Sequence, residues 1–409
     1  MELPVLMQMG RVFLAMFCSP FFLFLYFLLF VLVASQYKRI QQVTDRIIGI
    51  NPNQHLRSAL QSAVFGLLGG VLGSILLVFL GVDLSNIGIG ALWIVALVLM
   101  FIHPRFLCFA YAAGLVSLSN LFFGFPDISI PQLIGLVAIL HMVESFLIGI
   151  NGARHPLPIY VRKQGYIQGG FNLQYFWPIP LLALVAAGFF DLQAAVMKMP
   201  DWWPLLNDYA PFSTQNNYIL VPVMAILGYG EISTTRTPQE AARRSACHLF
   251  FFSMILLILA VLAARWSFFA PLAALFSPLG HEFIIWLGMR EEVNRKPMYI
   301  PGPQGLKVMH VWPGTPAQRR GIRPGDIILT VNGNMIQSLE QMHEQLQAGI
   351  NWLEIDRQGE YIRLKFDHER AEGSGIVPVP SPDVSRYLDV NEDSIFTAAR
   401  QLWHRWKRP

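Results

Sequence analysis

Apolar runs follow one another from about residue 12 to residue 289 with only short polar breaks, and charge density rises abruptly after Arg290. A helix needs roughly 20 apolar residues to cross about 30 Å of hydrocarbon, so this pattern commits the first part of the chain to a membrane. The contrast explains why only 14% of the residues are charged while 54% are apolar; soluble domains average about a quarter charged. The expected fold class is mostly α. A polytopic transmembrane bundle over 1–290 precedes a small α+β domain over 291–380 and a tail with an amphipathic helix over 381–409.

The apolar runs predict nine spans, with seven to nine as the range, at about 12–34, 59–82, 87–102, 106–125, 131–150, 176–197, 217–231, 247–264 and 267–289. The first is too long for a signal-peptide core and reads as a retained span. Lys and Arg stay on the cytoplasmic side of a membrane. The odd-numbered breaks hold Lys38, Arg39, Arg46, Arg57, Arg105, Arg154, Arg162, Lys163, Arg236, Arg243 and Arg244, against Arg11, Lys198 and Arg265 in the even ones. That asymmetry puts the N-terminus outside and the soluble domain and C-terminus in the cytoplasm. Trp202 and Trp203, in an outer loop, suit an interfacial belt. A net charge of +4 is too mild to argue for nucleic acid. The three cysteines, Cys18, Cys108 and Cys247, lie in or beside apolar runs without CxxC spacing and read as small apolar filler. No metal or cofactor is expected.

In the soluble part, Leu306, Val308 and Val311 mark a strand, Thr315-Pro316-Ala317-Gln318 opens a one-turn helix that Gly321 ends, and Arg323-Pro324-Gly325-Asp326 turns into a buried strand, 327–331. Asn332-Gly333 closes that strand, Ser338 with Gln341 caps a helix to about Ala348, and two strands follow at about 351–356 and 360–366. Gly305-Leu306-Lys307-Val308, Pro313-Gly314-Thr315-Pro316-Ala317, Gly321-Ile322, Pro324-Gly325-Asp326 and Val331-Asn332-Gly333 together resemble a bacterial PDZ domain. Such domains take up peptide ends as an added strand between a sheet edge and a helix. The resemblance implies a groove helix at Ser338–Ala348 carrying Leu339, Met342 and Leu346. It also implies a carboxylate-binding turn before Leu306, within Tyr299, Ile300 and the residues to Gly305. Pro301 and Pro303 remove two backbone donors from that turn.

Polar residues at membrane depth are functional candidates. His141 and Glu144, three apart in the fifth span, share a helix face and are expected to form an intramembrane polar pair. A zinc protease would need His-Glu-x-x-His; His281-Glu282 begins that motif, but Ile285 stands where the second histidine belongs. In the tail, Phe396, Leu402, Trp403 and Trp406 lie on one apolar stripe beside Arg400, Arg405, Lys407 and Arg408, the pattern of a helix on an anionic membrane surface.

The aromatic, glycine-rich stretch 165–180, His141 with Glu144, the terminal PDZ-like domain and the closing Gly375-Ile376-Val377 strand together resemble the MinJ-type division-site proteins of Gram-positive bacteria. That resemblance implies a non-enzymatic scaffold of the bacterial cell membrane. Its PDZ domain would recruit a polar and septal coiled-coil protein and the Min inhibitor proteins, with lipid as the other partner. Two other readings stay open: a degenerate intramembrane metalloprotease or protease regulator, and a transport or secretion subunit. Homo-oligomerisation is also left open.

Overall fold

The computed structural model describes residues 3–49, 54–163, 165–186, 203–206, 218–368 and 373–389. Eight helices build the first part: α1 Leu3–Met16, α2 Pro20–Ile48, α3 His55–Leu80, α4 Ile89–Ile102, α5 Phe109–Phe123, α6 Ile130–Asn151, α7 Pro238–Arg265 and α8 Phe269–Asn294. Three of them start where the sequence punctuates. Ser19, Ser129 and Thr237 cap α2, α6 and α7, each with a proline in the first two helical positions, where its missing N–H costs nothing. The Ser19-Pro20 cap divides the first expected span into α1 and α2. Among the described residues, five helices (α2, α3, α6, α7 and α8) are long and apolar enough to cross a membrane. The expected count of nine is not confirmed by these five candidates.

The described parts of the sixth and seventh expected spans are strands. β1 Leu157–Lys163, β2 Tyr166–Ala186 and β3 Tyr218–Ser233 form an antiparallel sheet in which β2 and β3 pair from Phe171↔Ser233 to Ala186↔Tyr218. Pro178 and Pro180 within the sixth apolar run, and Pro222 within the seventh, would break a helix. In an apolar setting every backbone group needs an internal partner, and the edge of β2 that faces the helices meets that demand residue by residue. Phe176 N–H donates to the Tyr37 hydroxyl (3.2 Å), Leu182 N–H to Ser74 Oγ (2.8 Å) and Ala186 N–H to Ser85 Oγ (3.0 Å). Leu184 bridges to Asp83, and Pro178 and Pro180 have no N–H to satisfy. Their carbonyls lie so close to α3 that a Cβ at Gly66 or Gly70 would sit 2.2 or 2.1 Å from the oxygen. Only glycine permits that approach.

The third and fourth expected spans are the half-length helices α4 and α5, of 14 and 15 residues. At about 1.5 Å per residue neither covers the hydrocarbon thickness. Ile128, just after α5, packs on Gly88, just before α4, so the pair leaves from and returns to one end of the bundle. Its tip is a short 3-10 turn, Pro104–Leu107. Trp203, expected at an interface, is instead buried, with its indole N–H donating to the Val78 carbonyl (2.8 Å). Trp202 lies outside the described residues.

The second part contains β4 Leu306–Val311, α9 Pro316–Arg319, β5 Ile327–Val331, β6 Asn334–Met335, α10 Leu339–Gln345, β7 Gly349–Arg357, β8 Glu360–His368 and β9 Ile376–Pro378. They form a sheet ordered β8-β7-β5-β4-β9, with β6 on β5. Asn332 and Gly333 have φ of 52° and 84°, the tight-turn geometry that an Asn-Gly pair favours. Leu306, Val308, Ile328, Val331, Met342, Leu353, Ile355 and Phe366 fill the core. A last short strand, β10 Leu388–Asp389, runs back to pair in parallel with β1.

Candidate functional site

Two places gather the residues that sequence reading singled out. The first is the groove expected between β4 and α10. The chain's own β9 pairs antiparallel with β4, from Val311↔Ile376 to Val308↔Pro378. Ser374, just before β9, accepts or donates at His343 Nε2 of α10 (3.3 Å). The segment 374–378 thus lies along the edge that an incoming peptide would need. Met342 and Leu346 are buried in the domain core, and Leu339 packs half-buried against it. Leu306 is likewise buried. Gly305, at φ +73°, is pressed on Ile327 and the Ile328 carbonyl.

β9 and β4 are also where the two parts of the molecule join. Tyr160 of β1 donates its hydroxyl proton to the Pro378 carbonyl (2.9 Å), and Gly169 N–H donates to the Tyr299 carbonyl (2.9 Å). Tyr299, Met309, Trp312, Val377 and Val379 belong to the same buried cluster as Phe171 and Tyr175 of β2. His310 stacks edge-on against Phe171 (5.8 Å) and Trp312 (4.9 Å), and burial pushes its imidazole down to about 4. The Glu292 carboxylate at the end of α8 accepts from the N–H and hydroxyl of both Thr234 and Thr235 and so fixes the linker. Beside it opens a cleft of about 600 Å³ whose lining includes Arg162, Lys163, Gln168, Thr234 and the exposed Ile300.

The second place lies inside the helical part. His141, midway along α6, is buried and donates from Nδ1 to the Val137 carbonyl (2.7 Å), which leaves Nε2 as the ring's lone-pair nitrogen. That nitrogen faces Cys108 Sγ at 3.1 Å, and His281 Nε2, midway along α8, faces the same sulfur at 3.6 Å. Glu282 accepts from Arg105 (2.8 Å) and from the Tyr111 hydroxyl (2.8 Å). Besides Val137 on its own helix, His141 meets Cys108 at the start of α5 and His281 of α8. Cys108, read from sequence as filler, is part of a polar cluster. No local motif could reveal this, because its three members lie on segments far apart in sequence. The signal that was available is the polar break His103-Pro104-Arg105 just before Cys108. The tail residues Phe396, Leu402, Trp403 and Trp406 lie outside the described residues.

The geometry of the second part is that of a PDZ domain carried by a multi-helical membrane protein, and a PDZ domain family model matches residues 307–357. The chain is 24% identical over 200 residues to the cell division topological determinant MinJ of Bacillus subtilis, covering 49% of this chain and 47% of MinJ. That stretch is longer than all the chain after Arg290, so the likeness reaches into the membrane part. The "Putative serine protease HhoA" of Synechocystis is 46% identical over 71 residues, 16% of this chain and 18% of HhoA. A match of that length corresponds to one small domain. The chain thus spans about half of MinJ and under a fifth of HhoA. The MinJ-type resemblance read from the sequence is borne out by these matches.

Proposed function

We propose that this protein is a non-enzymatic membrane scaffold for selection of the bacterial division site, holding its PDZ domain at the cytoplasmic face to recruit partner proteins. The observation that carries this reading is the 200-residue likeness to MinJ, a stretch too long to be confined to the soluble part. Recruitment at a membrane raises the effective concentration of weakly binding partners. A polar and septal coiled-coil protein and the Min inhibitor proteins are the partners this reading names. With β9 along the groove edge, the contact surface is the cleft that exposes Ile300 beside Arg162 and Lys163.

Orientation follows from charge. If α2, α3, α6, α7 and α8 each cross, the start of α2 and the end of α8 fall on opposite sides, as nine spans would also have it. The half-helix pair and the β2–β3 hairpin each return to the side they leave. Lys163 reaches the Glu292 carbonyl and Arg236 pairs with Glu291, so the basic breaks before β2 and after β3 meet at the end of α8 that carries the PDZ domain. A C-terminal alkaline phosphatase fusion should be silent, and a fluorescent fusion should concentrate at septa and poles. In-cell crosslinking from position 300 should capture a division protein. Uniform membrane fluorescence in dividing cells would sink the division-site reading, and an active phosphatase fusion would reverse the orientation.

A further inference from the structure

Cys108, His141 and His281 come from three separate elements: the tip of the half-helix pair, α6 and α8. Their ligand atoms all lie within 4.8 Å of one another. Sγ to the two Nε2 atoms measures 3.1 and 3.6 Å. A tetrahedral centre with bonds of about 2.3 Å to sulfur and about 2.0–2.1 Å to nitrogen would set S and N about 3.5 Å apart. We propose that Cys108, His141 and His281 form an intramembrane binding site for a divalent transition metal ion of borderline softness, Zn²⁺ by preference.

Three further observations bear on it. The Nδ1–H of His141 is held by the Val137 carbonyl, the outer-shell contact that orients a ligating imidazole and presents Nε2 to a metal. The Nδ1 of His281 is buried without a hydrogen-bond partner, and the ring is held edge-on against Tyr111, His141 and Phe252 with Nε2 toward the sulfur. The helix break that delivers Cys108 lies at the depth of mid-helix residues, where irregular backbone persists only when buried in protein or lining a cavity. One thiolate and two imidazoles suit Zn²⁺ rather than Mg²⁺ or Ca²⁺, which take oxygen. On binding, the Cys108 thiol gives its proton to solvent and the two imidazoles bind neutral, leaving the fourth position to water. Glu282, engaged by Arg105 and Tyr111, is not a free base beside the ion. The site is therefore a tie between α5, α6 and α8 and not a protease centre.

The test uses the full chain in detergent micelles, stripped with chelator, with the exposed Cys18 and Cys247 changed to serine so that Cys108 is the sole thiol. Co²⁺ should produce a thiolate-to-cobalt charge-transfer band that saturates at one ion per chain and that Zn²⁺ bleaches. Zn²⁺ should also protect Cys108 from alkylation. His281→Ala should weaken Co²⁺ by more than the roughly 10–100-fold typical of losing an outer-shell partner. The protection assay keeps all three ligands intact, so it does not depend on any ligand variant folding. If Zn²⁺ leaves the alkylation rate unchanged and Co²⁺ gives no charge-transfer band, the cluster is a set of thiol–imidazole hydrogen bonds and the proposal is wrong. A band that survives His141→Ala and His281→Ala would overturn it equally.

Discussion

The chain contains two β-sheets that solve the same problem under opposite conditions. The β1–β3 sheet sits among apolar helices, where an unpaired N–H has no water to turn to, and the free edge of β2 is closed by three hydroxyls and two prolines. The PDZ sheet is in contact with solvent. There Lys365, Arg363 and Asp367 can stand on the edge strand β8, and turns carry the positive-φ residues Asn332, Gln358 and Gly359. Charge discourages edge-to-edge pairing where water is present. Where it is absent, deleting the donor or supplying a hydroxyl is the alternative. In the membrane sheet specificity therefore lies in single side chains and close backbone approach, whereas in the PDZ sheet it is spread over turns and core.

Substitution at the close approach should have the largest effect. In Gly70→Val the Cβ would fall 2.1 Å from the Pro180 carbonyl oxygen, a backbone atom that cannot rotate away. Overpacking costs about 1–3 kcal/mol and sometimes more; with backbone on both sides the upper end applies. The variant should lose the monodisperse peak in size-exclusion chromatography, and an unchanged melting temperature would show that β2 does not pack on α3 as described. In the PDZ domain the comparable site is Asp326, buried, accepting from Arg357 Nε and Nη2 and from the Arg323 N–H, each at 2.8 Å. Removing one member of a buried pair costs about 3–5 kcal/mol. Arg357 keeps some solvent access, so Asp326→Ala should cost about 3 kcal/mol by denaturant titration. That loss should appear in the PDZ transition while the membrane part stays folded.

Ser74→Ala is the finer probe of the membrane sheet. It leaves the Leu182 N–H without its acceptor, a penalty of about 1–3 kcal/mol for a buried group. Hydrogen exchange at Leu182 should accelerate, with neighbours inside the β2–β3 ladder less affected. Equal protection in variant and wild type would mean that the edge is not shielded in this way.

How much of this was legible follows the same division. The PDZ elements were readable because glycines and prolines punctuate short strands: Gly321, Pro324-Gly325 and Asn332-Gly333 fall where the turns are. β2 and β3 were misread as spans because hydropathy averages over a window and does not see Pro178, Pro180 and Pro222 as a strand's edge device. The expected span 106–125 had full crossing length, and the return of α4 and α5 to one end depends on the Ile128–Gly88 contact, which no local pattern encodes. The same holds for β9: Ile376-Val377 was read as a closing strand, but its place along β4 joins residues nearly 70 apart in sequence. Cys108, His141 and His281 lie on three segments, so a motif search along the chain could find only the His281-Glu282 fragment.

The smallest effect is expected where the two sheets meet. His310 sits on β4 between Phe171 of β2 and Trp312, and burial depresses its pKa to about 4 from an ordinary value near 6.5. The charged group nearest along the sequence is Lys307; across the interface the ring meets Phe171 and shares a cleft with Arg154, His155, Asn172 and Gln174, whose lining holds no carboxylate to stabilise an imidazolium. Because the folded form holds the imidazole neutral, the unfolded chain binds the extra proton between these two values. Stability at this site is complete above about pH 6.5 and falls as pH drops toward 4. By pH 5.5 the loss should be about 1 kcal/mol, from a group titrating one unit above the ambient pH in the unfolded chain alone. It should be read as weaker docking of the PDZ domain on β1 and β2, for instance as faster proteolysis of the linker around residues 295–305. His310→Phe keeps the aromatic packing and removes the proton, so it should flatten this pH dependence while leaving the neutral-pH rate unchanged. If cleavage in the His310→Phe protein accelerates on acidification as much as in wild type, the junction is loosened by another group and the two sheets are not coupled through this ring.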